Sequence, residues 1–338
     1  MSDTLIGVLI GGLIGLIGPI LSTLFNFWLK GLEERRETEA RIRQRLIGNR
    51  IQTRDVEVFV KRARRLGERP DLQLADLADA YLVKADLAET ILHKANLRGS
   101  NLKKAQLNLA NLERANLEEA DLEEANLREA ALSEASLKRA YLRKADLREA
   151  DLSYADLNGA NLEGADLRNA NLEGANLENV CLHRADLRGA SLEETDLERV
   201  DLKDAMLDDV GQIEPKWRLV WELVSQGGRE RDLRKSSLQG AALIYADLER
   251  ANLEEANLRE TRLFEANLQG ASLKGARLQK ADLKKANLIG ANLEGADLEG
   301  ADLKGAKVTD EQLNQVANLK DATMPDGTIR GQVQRGES

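Results

Sequence analysis

Ala115-Asn116-Leu117-Glu118-Glu119-Ala120-Asp121-Leu122-Glu123-Glu124 decides the fold, because its five-residue pattern recurs through most of the 338-residue chain. Leucine stands at every fifth position from Leu72 to Leu207, 28 times without exception, and again from Leu233 to Leu303, 15 times, with the phase advanced by one residue. Two positions before it the residue is usually Ala, as at Ala125, Ala155 and Ala160, with Ser100, Val180 and Thr195 as small or β-branched exceptions. Asp or Asn most often lies between them.

A period of five suits no ordinary element. On an α-helix successive leucines would step by about 140° and spread around it, and along a flat strand they would alternate faces. If the chain turns a corner at each repeat, every leucine and every small residue can point to one axis while the other three positions face water. Stacked coils then bury a continuous core and pair their backbones with the coils on either side.

These runs, with Ala165-Asp166-Leu167-Arg168-Asn169 among them, resemble the A(D/N)LXX motif of the pentapeptide-repeat family over about two-thirds of the chain. The resemblance implies an all-β solenoid, a right-handed quadrilateral β-helix with four repeats per coil, about 34 Å long for the first array at the spacing of neighbouring strands. Residues twenty apart should then stack. Lys104, Glu124 and Lys144 alternate in sign on that register, as do Lys103, Glu123, Arg143 and Glu163. Arg128, Arg148, Arg168 and Arg188 would form a like-charged ladder, offset by Asp146, Asp166 and Asp186 two residues before the last three.

The aromatic fraction is 3%, so the core must be aliphatic. Net charge is −9, split as +5 over residues 1–70 and −14 over the remainder. The lone Cys181 excludes an internal disulfide framework, and His93 and His183 leave little material for a Cys/His metal site.

Leu5 to Leu29 contains no charged residue, and at the helical rise it would extend roughly 37 Å, enough to cross a hydrocarbon core of about 30 Å with some tilt. The start Met1-Ser2-Asp3-Thr4 lacks the basic region of a cleaved signal, so the expectation is a retained transmembrane anchor. Trp28 and Lys30 suit the interface, and Arg35, Arg36, Arg41, Arg43 and Arg45 follow, which by the positive-inside rule puts the solenoid in the cytoplasm at a plasma or thylakoid membrane. Gly7, Gly11 and Gly15 share one helix face and would admit a second backbone closely, although glycine is also common in membrane helices generally.

The expected divisions are an anchor at 1–30, a charged helical stalk or cap at 31–66, the first array at 67–207, a helical insert at 208–232, the second array at 233–306, and a cap and tail at 307–338. In the insert, Pro215, Trp217, Val220, Trp221 and Val224 followed by Gly227-Gly228 have the spacing of a short amphipathic helix. Its two indoles either pack on the solenoid where the register shifts or form a docking knob for a partner. Thr309, Gln312, Leu313, Val316 and Leu319 predict a helix with a capping box that closes the open end of the coil stack.

Chemistry is hard to place on such a chain. Regularly spaced outward carboxylates have no cleft to shift their pKa values, no phosphate-binding glycine loop is present, and Cys181 and the histidines fall at outward positions. The expectation is therefore a non-enzymatic protein without cofactor, a scaffold held at a lipid bilayer that binds another protein through one side. The resemblance adds that such families are abundant in cyanobacteria, where some members with N-terminal spans are linked to placing envelope components. A second reading is a pore or membrane-disrupting oligomer joined through the glycine-faced helices. A third is DNA mimicry toward a topoisomerase, as in the gyrase-binding members, against which the anchor and the many Lys and Arg stand. Interleaved acidic residues and scarce aromatics argue against binding nucleic acid.

Overall fold

The computed structural model describes residues 53–208 and 213–330. Within them each repeat forms one side of a square coil. Asn116 pairs in parallel with Asn96 and with Ser136, and the same twenty-residue step runs from Asp71↔Ile91 to Asp186↔Met206 and from Asp232↔Asn252 to Asn287↔Lys307. Four repeats therefore make one coil.

Why the repeat takes this shape follows from an accounting of its five backbone donors. Asn116 N–H donates to Ala95 O at 2.9 Å, Leu117 N–H to Ser136 O at 2.7 Å, and Glu119 N–H to Lys138 O at 2.9 Å. Ala120 N–H closes a turn on Leu117 O at 3.0 Å. Only Glu118 N–H lacks a backbone acceptor, and it donates to the side-chain Oδ1 of Asn116 at 3.1 Å. Asp or Asn before the leucine is thus required as an acceptor within its own turn, a role their short side chains fill readily.

The corner has a conformational cost. The second residue after each leucine adopts a left-handed backbone, with φ of 59° at Glu119 and 64° at Gly164. Charged residues hold this conformation at most corners, although it costs an L-residue on the order of 1–2 kcal/mol. The stacked hydrogen bonds on both sides fix it. In the last coils glycine takes over, at Gly290, Gly295, Gly300 and Gly305.

Inside, Leu117, Leu122, Leu127 and Ala120 are fully buried, and one continuous cluster runs from Val56 to Ala322. Helix α1 (Thr53–Arg65) covers the first coil with Val56, Phe59 and Val60. Arg64 Nη2 donates to Ala88 O at 2.7 Å, and Arg69 Nε to Glu89 O at 2.9 Å, so free carbonyls of the first coil receive donors.

At the phase shift, helix α2 (Pro215–Ser225) begins at Pro215 and buries Trp217, Val220, Leu223 and Val224. Gly228 occupies the place where the series ending in Leu233 would put a leucine. A Cβ there would lie 2.6 Å from Leu248 and 2.7 Å from Leu223, so the helix leucine has replaced the missing one. The coil ladder crosses the insert directly where Arg199 N–H donates to Gly240 O at 2.9 Å.

At the far end helix α3 (Asp310–Leu313) has the expected capping box between Thr309 and Gln312, but it is one turn long and does not continue to Leu319. Gln312 Nε2 donates to Leu288 O and Ala291 O, both at 2.7 Å, and Ala317-Asn318-Leu319 then resumes the coil through Asp297↔Asn318 and Asp302↔Thr323. The reason is visible in that tripeptide, which is itself a repeat and has a ladder waiting for it. Among the described residues no helix is long and apolar enough to cross a membrane; the expected span at 5–29, with Gly7, Gly11 and Gly15, lies outside them.

Two substitutions separate the core from the corner. Leu152→Ala should cost about 2–5 kcal/mol, since the fully buried side chain leaves a cavity in a stack with no other core. Gly295→Ala, where an added methyl meets nothing within 4 Å but φ is 69°, should cost only about 1–2 kcal/mol. Urea unfolding followed by circular dichroism measures both, and equal losses would contradict this division.

Candidate functional site: the four sides and the cleft at the interruption

Outward residues are the one before each leucine and the two after it, so each side of the solenoid is a stack of triplets twenty residues apart. Side 1 runs through Leu72 and Leu233, side 2 through Leu77 and Leu238, side 3 through Leu82 and Leu243, and side 4 through Leu87 and Leu248. The match of Leu197 to Leu238 across the insert follows from the Arg199 to Gly240 hydrogen bond.

Charges pair mainly between neighbouring coils. Lys103 Nζ lies 3.0 Å from Glu123, Lys104 Nζ 3.2 Å from Glu124, and Arg114 Nη2 2.8 Å from Glu134. Side 4 holds the arginine ladder. Arg148 forks onto Asp146 at 2.8 and 2.6 Å and approaches Asp166 of the next coil at 3.6 Å, and Arg168 repeats this on Asp166 and Asp186. These guanidinium hydrogen bonds hold the carboxyls of Asp146, Asp166 and Asp186 below their ordinary value. The like-charged stack is thereby a column of alternating sign.

The interruption opens a cleft of about 730 Å³ between Leu192–Glu198 on one wall and Ile213–Trp217 on the other. Glu193, Glu194, Asp196, Glu198 and Glu214 line it, with Lys216 stacked over the Trp217 ring at 3.9 Å. Trp217 is 5% exposed, and Trp221 is half-buried with its Nε1 donating to Ala205 O at 2.6 Å. The two candidate docking residues therefore sit against the coils, leaving part of Trp221 open to solvent.

Among the described residues no titratable cluster is built for chemistry. Cys181 is half-buried, and burial pushes its thiol up, away from the reactive thiolate. His93 lies 3.7 Å from Glu113, and among the described residues no group of three His, Cys, Asp or Glu could hold a metal ion. What the individual ladders did not reveal is how residues distribute by side. That signal was available, since sorting outward positions by their remainder on a twenty-residue period is enough to read it.

Fold and surface together define a solenoid of five-residue repeats with four solvent-facing sides. The sequence profile of pentapeptide repeats matches residues 71–108, 110–148, 145–184, 181–210, 232–270 and 266–305, and the chain belongs to the pentapeptide-repeat family. Among solved structures it is similar to HetL, a pentapeptide repeat protein involved in heterocyst differentiation regulation from the cyanobacterium Nostoc sp. strain PCC 7120. The identity is 34%, covering 80% of this chain and 97% of that one, with a TM-score of 0.26. Rfr23 of the cyanobacterium Cyanothece 51142 is 40% identical over 32% of this chain and 60% of that one, with a TM-score of 0.21. A thylakoid-lumen pentapeptide repeat protein of Arabidopsis thaliana is 28% identical over 31% of this chain and 72% of that one, with a TM-score of 0.27. No curated protein matches the chain in sequence.

The depressed carboxyls make stability depend on pH. Their contribution is complete above the unfolded carboxyl value of about 3.9 and is lost as pH falls through the lower folded values. Replacing Asp146, Asp166 and Asp186 together by Asn should lower the unfolding midpoint at pH 7. The difference from the natural protein should shrink as pH falls below about 3.9 and through the lowered folded values, because the natural carboxyls then become protonated as well. A difference independent of pH would remove the electrostatic account.

Proposed function

We propose that this protein is a non-catalytic scaffold, anchored in a membrane by Leu5 to Leu29, whose solenoid stands in the cytoplasm and binds a protein partner through one of its sides. The observation that carries the reading is the set of flat outward surfaces built on an inward-facing aliphatic core. A surface of this kind offers long, regularly spaced contacts without a reaction centre. The uncharged run of 25 residues, long enough to span, and the arginines that follow it support the anchor and its orientation. DNA mimicry needs a side of unpaired carboxylates. Instead Glu134, Glu255 and Glu294 on side 1 each meet a cation, as do Asp146, Asp166 and Asp186 on side 4.

Deleting residues 1–30 should release a soluble, folded protein that keeps the β-rich circular dichroism of the solenoid, whereas the full chain should fractionate with membranes and resist carbonate extraction. Proteolysis of the solenoid in inverted vesicles but not in intact cells gives the cytoplasmic orientation. Replacing Gly7, Gly11 and Gly15 with Ile should weaken self-association in a membrane-dimerisation reporter and leave insertion intact. If expression of the full chain causes dye leakage that the glycine changes abolish, a pore replaces the scaffold.

A further inference from the structure

Side 3 differs from the other three sides in charge and in aromatic content. Over both arrays its outward positions carry eleven Lys and Arg against nine Asp and Glu, while the other three sides together carry 17 against 33. Of the five aromatic residues at outward positions of the arrays, four lie on side 3: Tyr81, Tyr141, Tyr245 and Phe264. The three tyrosines are 64%, 55% and 55% exposed. Tyr154, the fifth, is on side 1 and directs its hydroxyl to Glu173 at 3.3 Å.

The carboxylates of side 3 are largely taken by its own residues. Lys103 meets Asp121 and Glu123, Lys104 meets Glu124, Arg184 meets Asp204, Lys284 meets Asp282 and Asp302, and Lys285 meets Glu265. Lys84, Lys144, Lys203, Arg262 and Lys304 form no ion pair among the described residues. Five of eleven cations are thus available, against four of seventeen on the other sides. Around the second array the unpaired Lys203 and the Glu265-paired Lys285 join two of the aromatics into one patch. Tyr245 and Phe264 meet edge to face at 5.9 Å, Lys203 lies 5.8 Å from the Tyr245 ring and Lys285 5.1 Å from that of Phe264.

We infer that side 3 is the docking side, and that its partner is a protein surface presenting carboxylates beside apolar side chains. This rests on the scaffold reading and names the side and the chemistry. Exposed tyrosines with cations beside them are the residue types that anchor protein interfaces. A continuous row of phosphates, on a nucleic acid or an anionic bilayer, would also meet the nine carboxylates of this side; a protein can place its carboxylates only opposite the free cations.

The test places the photocrosslinker p-benzoyl-phenylalanine in the full chain, in its native host, at Tyr141 and Tyr245 on side 3, Tyr154 on side 1, Asn179 on side 2 and Leu109 on side 4. Protein adducts are expected from the two side 3 positions, with crosslinked peptides rich in Asp and Glu. They should fall at least tenfold with Lys203→Glu and Arg262→Glu together, and persist with Lys94→Glu on side 1. None of these three cations forms an ion pair, so the fold should survive, and an unchanged thermal unfolding midpoint verifies it. Adducts confined to Tyr154, Asn179 and Leu109 would overturn the side assignment and leave the scaffold standing. Adducts only to lipid, nucleic acid or a second copy of this chain would overturn the partner class, and no protein adduct from any side would overturn both readings.

Discussion

The structure depends on one hydrogen bond inside each repeat, from the backbone N–H after the leucine to the Asp or Asn side chain before it. The coil satisfies the other four donors through its neighbours and its turn, and this one points where no backbone oxygen lies. Left unpaired in a part-buried stack, it would cost roughly 1–3 kcal/mol per repeat, too much to tolerate dozens of times. Where neither Asp nor Asn stands there, as at Ser136 or Tyr141, the neighbouring coils still hold the backbone in place. The requirement is therefore collective, and exceptions, even the successive Ala131, Ser136 and Tyr141, survive within a ladder whose other backbone hydrogen bonds are made.

The same ladder explains why so many charged residues sit at corners with a left-handed backbone. Most corner N–H groups are bonded to the backbone of the next coil, as Glu119 is to Lys138 and Lys144 to Glu163. The strain is small beside what stacking supplies, namely full burial of one leucine and one alanine per repeat. Toward the C-terminal end fewer coils remain above to hold the corner, and it is there that Gly290, Gly295, Gly300 and Gly305 follow one another. Glycine adopts the conformation without steric cost, so these corners need less support from the stack.

Most of this architecture was legible in the chain because a fixed period of five has a single way to bury its leucines. The insert helix and the capping box at Thr309 follow from spacing, while the twenty-residue coil step and the stacked charges follow from the resemblance to the pentapeptide-repeat family. Two features did not. Ala317-Asn318-Leu319 is a repeat that resumes the coil after a one-turn helix, and reading its Leu319 on a helical period hid it. Gly228 reads as a helix stop, yet it also holds a leucine place that Leu223 fills from the helix. Both depend on packing between segments distant in phase, which no local pattern carries.

Because the interior is nearly the same at every level, the outward positions are the part of the repeat that can vary independently of the fold. Where the residue before the leucine is Asp or Asn it is committed to the turn, so each side's character is set by the two after it and by the exceptions such as Tyr81, Tyr141 and Arg262, and most charges are consumed by the coil above or below. A partner therefore does not read total charge; it reads what the ladders leave over. On side 4 the forked arginines leave almost nothing, since each guanidinium already spans two carboxylates. On side 3 the aromatic rings interrupt the alternation, because Tyr245 and Phe264 occupy places where carboxylates would otherwise neutralise Lys203 and Lys285. Lys285 finds Glu265 instead, and Lys203 keeps only the ring. At Tyr245 the aromatic residue and the unpaired Lys203 thus go together: a ring in a charged column supplies an apolar contact and leaves a neighbouring charge available.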